Sequence, residues 1–239
     1  MQTVILWWVA ALITVIPGHR SVKGPVVRLI QYKVSSAYQA TFRKALGEYV
    51  YSSLKAAGNI MAEAYYEESD STILWIIERW NDQRSLERNG EGNAAKAIVD
   101  VMQHALVTPA DTIIMRDLEP LARAAYHKAP DANDHPLTIM LFVDAKQGTE
   151  DDFKKLYHTA MPAFRSEAGV LTYQLSQVIA DKTKFVTYEK FRSEEAFQYH
   201  LQFPPVKPVV QYLRTSIKEQ PFEKGLHRLI EFAPLYQKQ

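Results

Sequence analysis

Residues 189–200 read EKFRSEEAFQYH, and residues 78–89 read ERWNDQRSLERN. Each stretch opens with a glutamate, continues with a basic residue and then an aromatic one, and passes into polar residues suited to the start of a helix. The two stretches differ at their last position, which is His200 in one and Asn89 in the other. The chain therefore carries two versions of one pattern, and only one of them ends in a histidine.

These stretches belong to a tandem repeat that keeps an offset of 111 residues, as between Glu78 and Glu189, over most of its length. A repeat with such a fixed period sets the domain organisation before any local feature does. We expect repeat 1 at 23–122, a polar proline-bearing linker at 123–136 and repeat 2 at 137–239. Further aligned pairs are Phe42 with Phe153, Asp70 with Asp181 and Thr72 with Thr183.

Each repeat reads as β-α-β-β-α-β. Strand formers fill 26–34 and 137–145, and apolar residues recur at helical spacing within 148–167. This order is the ferredoxin-like arrangement, in which both helices lie on one face of an antiparallel sheet. The other face needs a cover, and two units in one chain can cover each other. The sequence therefore predicts an α+β protein, with two tandem ferredoxin-like units forming an intramolecular pseudo-dimeric α/β barrel.

Composition excludes several functions. The chain has 28 basic and 27 acidic residues, so no positive field favours nucleic acid as a partner. It contains no cysteine, and we find neither a glycine-rich phosphate-binding motif nor an HExxH pair among its 7 histidines. We therefore expect no nucleotide site, no metal centre and no cofactor.

The N-terminus is apolar from Thr3 to Ile16 and is stopped by Pro17. This run has the length of a signal-peptide core and is short for a membrane span of about 20 residues. No basic residue precedes it, and a buried core helix would look similar. Residues 1–22 are thus interpreted as a leader, either a signal or a membrane anchor acting through residues 3–16. The protein is exported or anchored if the leader is real, and cytoplasmic otherwise.

The segment around His200 resembles the antibiotic biosynthesis monooxygenase domain family. Repeat 2 carries the family pattern of a Glu-x-aromatic strand end, a polar turn, an Ala-Phe pair and a histidine: Glu189, Phe191, Ser193, Ala196, Phe197 and His200. Repeat 1 carries a degraded version: Glu78, Trp80, Ser85, Leu86 and Asn89. The resemblance implies a dimeric α/β barrel, a small aromatic substrate such as a quinol, and molecular oxygen. The haem-degrading branch of the family has an asparagine on its first strand. The first strands of the two repeats, at 26–34 and 137–145, lack this asparagine, which counts against haem.

His200 and Glu189 are the candidate catalytic residues. Phe197 and His200 are three positions apart, so a buried Phe197 brings the imidazole towards the space between sheet and helices. A neutral imidazole there can accept a phenol proton near pH 7. The alternative is a structural histidine bonded to a carbonyl or across a subunit boundary. Glu189 is either a carboxylate that orients His200 or the partner of a nearby cation such as Lys190.

Several further side chains are candidates for a substrate slot. Aromatic residues on strands suit a flat ligand, although they are equally typical of an ordinary core. The candidate substrate-binding residues are Tyr173, Tyr188, Phe191, Phe197, His158, Trp75, Trp80 and Asn89.

Two functions therefore remain. One is a cofactor-independent monooxygenase acting on a quinol, anthrone or similar polyphenol. The other is a non-catalytic protein that binds small aromatics or is associated with stress. Since Asn89 cannot take a proton, we expect one competent pocket per chain, in repeat 2 around His200. Further assembly into a homo-oligomer is left open.

Overall fold

A computed structural model describes residues 23–128 and 130–234. The predicted leader at 1–22, with its signal or anchor, lies outside the described residues. Within those two described ranges, no helix combines the length and the apolar composition that a membrane span requires.

Repeat 1 follows the predicted order of strands and helices, except that its second helical segment is divided into two helices. Its elements are β1 (Val26–Lys33), α1 (Gln39–Lys55), β2 (Asn59–Glu67), β3 (Ile73–Trp80), α2 (Gln83–Gly90), α3 (Asn93–Ala105) and β4 (Asp111–Asp117). The predicted linker contains one short helix, α4 (Arg123–Tyr126).

Repeat 2 follows the same order. Its elements are β5 (Leu137–Asp144), α5 (Glu150–Ser166), β6 (Val170–Val178), β7 (Lys184–Phe191), α6 (Glu194–Gln202), α7 (Val206–Thr215) and β8 (Leu226–Ala233). The helices α1 and α5 have 17 residues each and start 111 positions apart, as do β1 and β5. The structure therefore keeps the offset read from the sequence.

The predicted fold class is confirmed. The hydrogen-bonded strand order is β1-β3-β2-β8-β5-β7-β6-β4 in a closed antiparallel barrel. The chain also divides into two compact units, which are described separately below. Of the described residues, unit 1 comprises 23–114 and 231–234, and unit 2 comprises the rest of the chain from 115 to 230.

The core of unit 1 lies between its strands and the helices α1 and α3. Phe42, Leu46 and Val50 are buried on one face of α1 because they recur every four residues. They pack with Ile30 of β1 and Ile76 of β3, among other apolar residues. This packing fixes α1 above the strand residues that carry the polar network of unit 1.

The core of unit 2 is richer in aromatic residues. The rings of Phe153 and Phe185 lie 4.9 Å apart, and those of Phe153 and Tyr157 lie 4.8 Å apart. Aromatic pairs at such separations stabilise a core beyond the area that they bury. The same core extends along α5 to the residues that surround His200.

Candidate functional site

The position of His200 is set by the start of α6. The side chain of Ser193 caps this helix by accepting a hydrogen bond from the amide of Ala196 at 3.3 Å. A Cβ atom at Gly169 would lie only 2.5 Å from the Cβ of Ala196, so glycine is needed for α6 to approach this closely. Phe197 and His200 are the residues of α6 that are buried, as their spacing predicts.

His200 is paired with Glu167, the residue that ends α5. The Nδ1 atom of the imidazole lies 2.7 Å from Oε1 of Glu167, and both side chains are buried. Burial lowers the pKa of His200 to about 4. Burial, reinforced by the neighbouring Glu189, raises the pKa of Glu167 to about 7. The imidazole is therefore neutral at neutral pH.

The pair leaves two atoms open for a ligand. When Glu167 is ionised, Nδ1–H donates to its carboxylate, and Nε2 is then the acceptor nitrogen. Within the described part of the chain, Nε2 of His200 has no hydrogen-bond partner. The same holds for Oε2 of Glu167, which is buried. An arriving hydroxyl could donate to either atom.

Aromatic rings enclose the imidazole. Its centroid lies 4.9 Å from that of Phe164 and 5.3 Å from those of Tyr173 and Phe191. Phe197 packs on Phe191 at 5.4 Å. Three predicted lining residues, Tyr173, Phe191 and Phe197, thus lie together around His200, and Phe164 joins them.

Glu189 lies beside this shell without contacting the imidazole. Strand pairing places it between Ile139 of β5 and Tyr173 of β6. Its carboxyl group accepts hydrogen bonds from Thr187 and Tyr173, and burial raises its pKa to about 7. Alternation along β7 sets Lys190 on the opposite face of the strand. The partner of His200 is therefore Glu167, and the expected roles of Glu189 as its orienting group or as a partner of Lys190 are not what the geometry shows.

Comparisons with known proteins agree with this architecture. The family model described as antibiotic biosynthesis monooxygenase matches residues 25–101 and again 136–212. The chain belongs to the antibiotic biosynthesis monooxygenase family. The two matched segments start 111 positions apart, so each repeat is one domain of this family. No curated protein matches the chain.

Solved structures share the whole fold. A protein described as a proposed monooxygenase from Fusobacterium nucleatum is 15% identical, covers 87% of this chain and 92% of its own, and has a TM-score of 0.73. A similarly described protein from Lactobacillus acidophilus is 13% identical, with coverages of 87% and 94% and a TM-score of 0.72. An anthrone oxidase-like protein is 12% identical, with coverages of 88% and 92% and a TM-score of 0.59. At such low identity these likenesses show the fold alone.

The equivalent positions in the first antibiotic biosynthesis monooxygenase repeat hold a closed polar network. Arg28 lies directly opposite Glu78 on paired strands, and its Nε and Nη2 atoms donate to Oε2 of Glu78 at 2.9 and 2.5 Å. The guanidinium also donates to the hydroxyl of Tyr49 at 2.7 Å. Arg28, and not the sequence neighbour Arg79, is therefore the partner of Glu78.

Asn89 completes the network of repeat 1. Its side-chain amide donates to the hydroxyls of Tyr49 and Ser53, each at 2.8 Å. An amide in this position holds α2 against α1 and cannot accept a proton. Asn89 therefore has a structural role in unit 1.

The remaining candidates lie elsewhere. Tyr188 is buried on the face of β7 opposite Glu189. His158 is on the surface of α5, with a side chain 80% exposed and Nδ1 2.6 Å from Oε1 of Glu119. Trp75 and Trp80 are buried in unit 1, and the cluster around His200 is built without them.

Sequence reasoning missed Glu167, although one signal could have found it. The position equivalent to Glu167 in repeat 1 is Ala56, and the position equivalent to His200 is Asn89. The histidine and its carboxylate are thus gained or lost together between the repeats. In the described residues, no group of three or more acidic or histidine side chains is arranged to hold a metal ion.

Proposed function

We propose that the chain is a cofactor-independent monooxygenase that oxidises a quinol, an anthrone or a similar small phenol, with one competent site in repeat 2. Membership of the family indicates a monooxygenase-type function with a small-molecule substrate. The observation that carries the finer proposal is the neutral His200 imidazole, bonded to Glu167 and surrounded by aromatic rings.

The reaction needs only the substrate and dioxygen. For an anthrone, a CH₂ group becomes a carbonyl, one oxygen atom of dioxygen enters that carbonyl, and the other leaves as water. Removal of one proton gives a carbanion that passes one electron to dioxygen, and the resulting radical and superoxide join in a C–O bond. The peroxide takes up the proton and loses water. The substrate supplies all four electrons, so no external reductant is consumed.

The side chains around His200 suit the first step. Nε2 of His200 accepts the substrate proton while Glu167 stabilises the imidazolium that forms, as a carboxylate does for a histidine base. The substrate anion then lies among apolar rings that exclude water, where its charge favours transfer of an electron to dioxygen. Glu189 and Tyr173 would hold one another in place beside the ring of the substrate.

Access to this site requires side-chain movement. His200 is only 3% exposed, so a substrate ring reaches Nε2 when one of the surrounding rings rotates away. The second candidate function is a protein that binds small aromatics among the same rings without turning them over. Oxygen uptake that depends on His200 would distinguish the monooxygenase from the non-catalytic binder.

The test is oxygen uptake with a panel of hydroquinones and anthrones. We expect the variant His200→Asn, which installs the residue of repeat 1, to lose activity by about 10²–10⁴-fold, the usual contribution of a general base. His158→Asn is the matched control, because it removes an exposed histidine from the same unit, and Asn89→Ala tests repeat 1. Both should keep activity. Turnover that survives His200→Asn, or is abolished by Asn89→Ala, would contradict the assignment.

A further inference from the structure

Arg192 joins the end of β7 to the corner of the chain that carries Glu167. It follows the last residue of β7, and its backbone amide donates to the carbonyl oxygen of Gly169 at 2.9 Å. Its side-chain Nε donates to the carbonyl oxygen of Ala168 at 3.2 Å. Ala168 directly follows Glu167, so both bonds hold the segment from which the Glu167 carboxylate reaches His200.

The linker between the repeats holds Arg192 from the other side. Nη1 of Arg192 lies 2.6 Å from Oδ2 of Asp134 and 2.9 Å from Oδ2 of Asp131. The backbone carbonyl of Arg192 also accepts a hydrogen bond from the amide of His135 at 2.9 Å. Asp131 and Asp134 are themselves joined, because the amide of Asp131 donates to Oδ2 of Asp134 at 2.7 Å. A guanidinium suits this position because its rigid fork donates in several directions at once.

Repeat 1 forms the same corner without an arginine. The position equivalent to Arg192 is Asn81, whose amide donates to the carbonyl of Gly58 at 2.8 Å. The side chain of Asn81 is exposed. The fold of this corner therefore needs the backbone bond alone, and the arginine occurs in the repeat that has the pair of Glu167 and His200.

The backbone around Glu167 benefits from such support. Glu167 is the residue that ends α5, so the chain beyond it leaves the hydrogen bonding of the helix. The carbonyl groups of the next two residues both accept hydrogen bonds from Arg192. Precision matters here, because a displacement of about 1 Å can lower a reaction rate about 100-fold even when its cause lies away from the reacting atoms.

We propose that Arg192, held by Asp131 and Asp134 of the linker, is a positioning residue for the His200 base. This inference rests on the proposed monooxygenase function and gives the linker a part in it. Arg192 fixes the corner after α5, and the corner fixes the carboxylate of Glu167. That carboxylate keeps the imidazole oriented with Nε2 available for the substrate proton. Arg192 itself contacts neither the imidazole nor the substrate.

The first test is kinetic. Arg192→Gln should lower kcat for oxygen uptake about tenfold and leave the KM for the phenol nearly unchanged, because the base acts in the transition state. Asp134→Asn should lower kcat by less. The double variant should lose no more than Arg192→Gln alone, since the aspartate acts through the arginine. Arg214→Gln, which removes an exposed arginine from α7 of the same unit, should change neither parameter.

Arg192→Lys separates charge from geometry. Lysine keeps a positive charge opposite the two aspartates, but its single ammonium group cannot reproduce the fork that also reaches Ala168. We therefore expect this variant to lose kcat as well, and it replaces the glutamine variant if that one does not fold. Full activity in Arg192→Lys, or losses of Arg192→Gln and Asp134→Asn that simply add in the double variant, would overturn the positioning role.

The second test needs no turnover. At pH 9 Glu167 is ionised and accepts from Nδ1–H of His200, so NMR of isotope-labelled histidine should show His200 mainly as this tautomer. Arg192→Gln should shift the population towards the Nε2–H tautomer, in the direction of Glu167→Ala, and Arg214→Gln should not. Such a shift in a protein without oxygen uptake would uphold the positioning role and reject the monooxygenase. Oxygen uptake with an unchanged tautomer or an unchanged kcat in Arg192→Gln would overturn the positioning role alone.

Discussion

Replacing Glu189 with glutamine should stabilise the folded protein above pH 7. Burial raises the pKa of this carboxyl from its ordinary value of 4.5 to about 7. The folded protein therefore holds the proton more tightly than the unfolded chain does. Ionisation at higher pH costs stability, which falls as the pH rises from about 4.5 to about 7 and then stays constant.

The size of the effect follows from the two pKa values. Each unit of difference between the folded and unfolded pKa corresponds to about 1.4 kcal/mol, so ionised Glu189 costs up to about 3 kcal/mol above pH 7. Glutamine has nearly the same shape and can still accept from Thr187 and Tyr173, the hydrogen-bond partners of the carboxyl group. The variant should therefore match the wild type near pH 4 and exceed it by about 3 kcal/mol near pH 8.

Urea unfolding between pH 4 and pH 9 measures this difference. The matched control is Glu78→Gln, the same change at the equivalent position of repeat 1. There it leaves the buried Arg28 without its carboxylate, so the variant should lose about 3–5 kcal/mol at neutral pH. We therefore expect the same substitution to stabilise the protein at position 189 and to destabilise it at position 78. A variant Glu189→Gln that is no more stable than the wild type at pH 8 would refute the reasoning.

Three further outcomes are expected. Glu189→Gln should lower the pKa of Glu167, because the Glu189 carboxylate helps to raise it. The pH below which oxygen uptake falls should therefore shift to a lower value. An unchanged value would show that the two carboxyl groups are not coupled. Arg28→Ile should lose about 3–5 kcal/mol in urea unfolding at neutral pH, since it leaves Glu78 buried without its cation, and an unchanged stability would contradict this. Deleting residues 1–22 should leave the melting temperature unchanged if they form a leader, and a large drop would make them part of the fold.

The chain alone was enough to predict the fold. A constant offset of 111 residues and the alternation of strand and helix patterns give the repeat, its element order and the α+β class. These features are patterns along the chain itself, so they can be recognised without a structure. The spacing from Ser193 to His200 likewise predicts that the histidine is on the buried face of α6, because the helix repeat fixes which residues share a face.

The partners of the charged groups were decided by tertiary structure. His200 meets Glu167, 33 residues earlier, because the close contact at Gly169 brings the start of α6 against the end of α5. Neighbouring sequence had instead pointed to Glu189, which packs on Tyr173.

Strand register decided the surroundings of Glu78 and Glu189. Glu78 and Glu189 are the same residue at the same repeat position, yet pairing sets Arg28 opposite the first and Ile139 opposite the second. One glutamate therefore has a permanent cationic partner, and the other is a buried acid with a raised pKa. The sequence gives the chemical type of each side chain. The ionisation of that side chain depends on burial and on the charges that folding places within a few ångströms of it.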